Sequence, residues 1–134
     1  MTTDLIASLQ PVDGLVSALV LLFAFTIGHA LSDFPLQGDF LSRGKNRRIT
    51  TPVLADGKGS PPGLWIYLLS AHCLIQAGAV WVISGVALLA FVEFVLHWLI
   101  DFWKCEGKTS FGQDQGLHIL CKLAYVGVIW AGWV

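Results

Sequence analysis

Glu93-Phe-Val-Leu-His97-Trp-Leu-Ile-Asp101-Phe-Trp-Lys104 is the stretch on which the reading of this chain turns. Glu93, His97 and Asp101 recur every four residues, which on a helix stacks them along one face. Phe94, Val95, Leu96, Trp98, Leu99 and Ile100 cover the remainder, so a polar stripe is cut into an apolar helix. Whether that stripe faces water or a protein interior depends on the solvent around the rest of the chain.

Composition points to lipid. The 134 residues are 55% hydrophobic and 13% charged, with a mean hydropathy of +0.70, whereas about a quarter of an ordinary soluble domain is charged. The expected fold is therefore all-α: a single integral membrane four-helix bundle over residues 1–134, with spans near 12–32, 64–83, 86–103 and 116–133. Residues 35–63 and 104–114 read as polar loops, the first without a convincing helix although Phe34, Leu36, Phe40 and Leu41 suit a membrane interface. Met1 to Pro11 lacks the basic residues of a signal peptide, so the first apolar segment is expected to be retained.

All eight basic residues, Arg43, Lys45, Arg47, Arg48, Lys58, Lys104, Lys108 and Lys122, lie in or beside the loops after spans one and three. The positive-inside rule then makes both loops cytoplasmic and puts both termini outside, as in a multi-pass protein of a bacterial inner membrane. Cys73, Cys105 and Cys121 fall near the cytoplasmic side and are expected to stay reduced.

His29-x-x-x-Asp33-Phe34 closes the first span and His97-x-x-x-Asp101-Phe102 the third. Each is followed by a basic loop and a helix with an early histidine, His72 or His118, so the chain reads as two copies of a helical hairpin. This topology brings His29, His72, His97 and His118 to one depth, with Asp33, Asp101 and Asp114 beside them. Glu93 lies about 12 Å deeper than Asp101 at about 1.5 Å rise per residue.

Ionisable groups inside an apolar bundle face its interior and mark functional sites. Imidazoles and carboxylates without a compensating arginine suit a divalent metal, zinc first, with manganese, iron or nickel accepting the same donors. The candidate metal ligands are His29, Asp33, His72, His97, Asp101, Asp114 and His118; more than one tetrahedral shell needs, they imply two ions or an outer ring of orienting groups. Asp114 reads equally as the N-cap of the last helix. Glu93, Asp33 and Asp101 are the candidate proton acceptors, Glu93 also a hydrogen-bond partner for His97. Lys122, one turn past His118, reads first as an interfacial side chain and second as a partner for a site carboxylate.

These residues, together with Pro35-Leu36-Gln37 and Phe111-x-x-Asp114-Gln115-x-x-His118, resemble a family of small bacterial and phage membrane proteins of uncharacterised function. The resemblance runs from His29 to His118 and implies four spans in an inner membrane but no activity. The chain is also loosely similar to membrane-bound metal-dependent hydrolases. The expected function is a membrane-embedded, metal-dependent hydrolase acting on a lipid or a phosphorylated substrate. Its partners are the bilayer and an anionic lipid or phosphorylated group at Arg43, Lys45, Arg47 and Arg48. Homo-oligomer formation stays open, and no nucleic acid is expected. The alternatives are a metal or proton conductor, disfavoured by apolar spans beyond Glu93 and His72, and a phage-type effector in which the cluster is structural.

Overall fold

The structure, a computed structural model, describes residues 12–49 and 60–134. These form five α-helices: α1 (Leu15–Asp33), α2 (Gly38–Gly44), α3 (Leu64–Ser84), α4 (Ala87–Cys105) and α5 (Phe111–Trp130). The four long helices make a ring in which α1 packs on α3 and α5, and α4 on the same two, while α2 lies against α3.

Local chemistry sets the ends. Pro35 follows the end of α1 and disfavours its continuation. Gly85 ends α3 at φ +70°, where its N–H donates to the Trp81 carbonyl at 2.7 Å. A side chain there would be strained, and the resulting turn folds α4 directly back on α3. A capping box starts α5: Ser110 Oγ accepts from Gln113 N–H at 3.2 Å, and Gln113 Oε1 accepts from Ser110 N–H at 2.9 Å, satisfying two helix-end donors. The cap is thus Ser110, the helix begins at Phe111 rather than near 116, and Asp114 sits in its first turn facing inward.

The fold departs from expectation in two ways. The segment after α1 holds a helix, α2, where a structureless loop was expected. More consequentially, the chain is not a four-span membrane bundle. Among the described residues only α1 and α3, with mean hydropathies of 2.1 and 1.7, are long and apolar enough to cross a membrane. The physical reason lies in the polar residues themselves: α4 carries Glu93, Asp101 and Lys104 besides His97, and α5 carries Asp114 and Lys122 besides Gln113, Gln115 and His118. The orientation deduced from four crossings, with both termini outside, loses its basis. The N-terminal stretch through Pro11 and Lys58 lie outside the described residues.

The interior has two levels. Leu21, Phe25, Val80, Leu89, Val126 and Ile129 form an apolar level, in which Phe25 meets Tyr125 edge to face at 6.2 Å. The other level is polar and almost completely buried, comprising the four histidines, Asp33, Gln76, Glu93, Asp101, Asp114 and two lysines, Lys45 and Lys122. Outside, Leu15, Val16 and Phe23 of α1 and Tyr67, Leu74 and Val82 of α3 are exposed. Apolar surface outward and charge inward invert the usual soluble arrangement.

Gly28 lies where α1 packs tightly on α3, since a Cβ there would come within 2.8 Å of Ile83 Cδ1 and 3.4 Å of Ala79 Cβ. Gly28→Leu should overpack this contact and cost about 1–3 kcal/mol. A lowered thermal unfolding midpoint in detergent, at unchanged helical circular dichroism before melting, is the expected readout.

Candidate metal centre

The polar level is built by i, i+4 pairs on each helix: His29 and Asp33 on α1, His72 and Gln76 on α3, Glu93, His97 and Asp101 on α4, and Asp114, His118 and Lys122 on α5. All seven expected metal-ligand residues converge in it, and all are buried. The rings of His97 and His118 stack at 3.9 Å, His72 meets His97 at 5.0 Å, and His29 meets His118 at 5.0 Å.

His72 and His97 turn their Nε2 atoms toward each other at 3.1 Å. A carboxylate only accepts, so His97 donates from Nδ1 to Glu93 Oε1 at 3.0 Å. Burial holds the His97 pKa down to about 4 despite Glu93, which leaves a neutral ring with its Nε2 lone pair directed into the cluster. Around the facing nitrogens stand Asp33 Oδ1, 3.3 Å from His72 and 3.9 Å from His97, and Asp101 Oδ2, also at 3.3 and 3.9 Å. Asp33, His72 and His97 form one group that could hold a metal ion, and His97, Asp101 and His118 a second, with the ligand atoms of each within 4.8 Å of one another.

His29 stands apart from those groups. Its Nδ1 faces Gln76 Oε1 and its Nε2 faces Gln115 Oε1, each at 3.3 Å, while the two amide nitrogens donate to Asp33 Oδ1 and Oδ2 at 2.8 and 2.7 Å. Histidine and carboxylate are thus clamped by the same pair of glutamines.

Among the described residues the carboxylates of the cluster have no arginine to balance them, and three lysines enter instead. Lys45 bonds to Asp101 Oδ2, Lys122 to Glu93 Oε1, and Lys104 to Asp114 Oδ2 at 2.7 Å. Lys122, expected at an interface, is instead 1% exposed; its spacing of four from His118 was the signal that put it inside. Gln76, at the same spacing from His72, enters the cluster by the same rule. Lys45 had no such signal, because the turn after α2 delivers it. Tyr125 adds a hydrogen bond to Glu93 Oε2 at 2.8 Å, so both oxygens of Glu93 are engaged. Among the described residues no lysine or arginine pairs with Asp33.

The other basic residues form an outer clasp. Arg47 and Arg48 bind opposite oxygens of Glu106 at 2.6 and 3.0 Å, and Arg47 also lies over the Phe102 ring at 5.1 Å. Arg43 stands 3.9 Å from Asp39. Beside the cluster opens a cleft of about 540 Å³ lined by Asp33, Phe34, Gln37, Ser42, Lys104 and Phe111.

Residues 21–132 match the sequence profile of DUF3307, described as proteins of unknown function. The chain belongs to that family. The matched span contains every residue of the DUF3307 cluster described above. No curated protein and no solved structure matches the chain.

Two outcomes follow from the ion pairs. Lys122→Met leaves Glu93 charged and buried without its partner, and should lower unfolding free energy by about 3–5 kcal/mol; the double variant with Glu93→Gln should recover part of it, as measured by denaturant unfolding. The Arg47 hydrogen bond, with Arg48, lowers the Glu106 pKa from 4.5 to about 2. A depressed carboxylate pKa stabilises the fold above the unfolded value and loses that contribution as pH falls through the folded one. Stability against pH should therefore drop between about 4.5 and about 2, and Glu106→Gln should flatten that part of the curve.

Proposed function

We propose that this protein is a membrane-associated, metal-dependent hydrolase whose divalent ion is held by His72, His97, Asp33 and Asp101. One observation carries the reading. Ligand atoms arranged tetrahedrally at about 2.1 Å from an ion stand about 3.4 Å apart, and His72 Nε2, His97 Nε2, Asp33 Oδ1 and Asp101 Oδ2 stand 3.1 to 3.9 Å apart over the pairs measured. Two imidazole nitrogens and two carboxylate oxygens in that arrangement suit zinc best, although manganese, iron and nickel accept such donors.

The surroundings support the assignment. Glu93, bonded to His97 Nδ1 and anchored by Lys122 and Tyr125, is in the place of the carboxylate that orients a metal-binding histidine. It acts as a positioning residue rather than a proton acceptor. Asp33 has no lysine of its own and lines the cleft, so its charge is the one left for the ion on the side from which a substrate would enter. A bound ion would supply a water of lowered pKa. The exposed apolar faces of α1 and α3 give the bilayer contact. The cleft, with Lys104 on its wall, favours an amphiphile with a phosphorylated or otherwise anionic head over one bound by Arg47 and Arg48, which Glu106 occupies.

A second reading, a structural staple, draws on the three lysine–carboxylate pairs that already neutralise most of the cluster. Metal analysis separates the two. Natively extracted protein should contain at least about one equivalent of zinc or a similar ion, and His72→Ala and His97→Ala should each fall below about half. Less than about half an equivalent in the unaltered protein sinks the hydrolase and leaves the staple.

A further inference from the structure

Asp101 and Asp114 are each divided in the same way. One oxygen goes to a lysine: Asp101 Oδ2 to Lys45 and Asp114 Oδ2 to Lys104. The other, Oδ1 in both, is turned toward a single atom, Nε2 of His118, at 3.5 Å in each case. Hydrogen bonds between nitrogen and oxygen cluster at about 2.7–3.2 Å, so neither separation is one. Asp114 Oδ1 and His118 Nε2 have no hydrogen-bond partner among the described residues, though Asp114 is 0% and His118 1% exposed. Buried polar atoms are rarely left so, since each orphan costs about 1–3 kcal/mol. Each oxygen stands 3.5 Å from the ring nitrogen, longer than a hydrogen bond and close to the spacing of two ligands on a common ion, and a cation between them would satisfy all three atoms.

We infer that a second divalent cation binds between His118, Asp101 and Asp114, so that Asp101 bridges two ions through its two oxygens. The inference rests on the first position proposed above, where Asp101 uses Oδ2 beside His72 and His97. Its ligands are distinct at every atom but share that one carboxylate, which is how two-ion centres keep their ions about 3.5–4 Å apart. The second position also explains why the cluster holds more donors than one ion takes. It assigns His118 and Asp114 a task that the first ion leaves them without, and it lies on the Lys104 side, toward the cleft.

The full chain, extracted in mild detergent and stripped with chelator, should be titrated with Mn²⁺ alone and its bound metal counted. About two equivalents are expected, with the spin-coupled electron paramagnetic resonance signal of a bridged pair. Asp114→Asn, which keeps shape and the Ser110 cap, should hold about one equivalent and give an isolated-ion signal; His118→Ala should do the same at unchanged helical circular dichroism. Saturation of the unaltered protein at about one equivalent overturns the second position while leaving the first in place. Two equivalents retained in both variants overturn it as well. No binding at all, by contrast, removes the first position and with it the basis of the second.

Discussion

A buried charge has to be paired, and this requirement governs the molecule. Four carboxylates, Asp33, Glu93, Asp101 and Asp114, lie out of water in the polar part of the bundle, where the penalty for an uncompensated ion is several kcal/mol. Three are answered by lysines reaching in from different parts of the chain: Lys45 from the turn after α2, Lys104 from the end of α4 and Lys122 from α5. The geometry of the ring follows, because each pair ties two elements together at fixed depth. Lys45 joins the α2 turn to α4, Lys104 joins α4 to α5, and Lys122 crosses from α5 to Glu93.

Asp33 is the exception, and the exception defines the site. It is held by the amides of Gln76 and Gln115 rather than by a lysine, faces His72, and borders the cleft. Amide donors satisfy the lone pairs of a carboxylate without cancelling its charge, so a unit of negative charge is left beside the imidazoles of His72 and His97. The apolar outside of α1 and α3 has the complementary logic. With the polar groups drawn inward to meet one another, the helix surfaces are left to aliphatic and aromatic side chains.

Periodicity made much of the cluster legible before any coordinates. On a helix, residues four apart share a face whatever the helix packs against, and this alone placed Glu93, His97 and Asp101 together, as it did His29 with Asp33 and Asp114 with His118. The same rule applied to His72 and Gln76 reaches a member that a neutral amide does not announce, and applied to His118 and Lys122 it favours the carboxylate partner over the interfacial reading. The cap of α5 was written in Ser110 and Gln113, while Asp114 drew attention away from it.

The sequence by itself determined that the chain is helical, that each long helix carries a polar stripe, and that the stripes contain ligand-type residues at one depth. Spacing along a single helix is a local property, and local properties are readable from residue order. The tertiary structure alone decided which donors meet. The inward turn of Lys45, the split of Asp101 between Lys45 and His118, and the glutamine clamp on His29 and Asp33 join atoms from different helices, whose rotation about their axes depends on packing. It also decided the span count. The charges that build the interior of α4 and α5 are the same ones that leave only α1 and α3 apolar enough to cross a membrane, and average composition does not distinguish helices that carry the charges from those that do not.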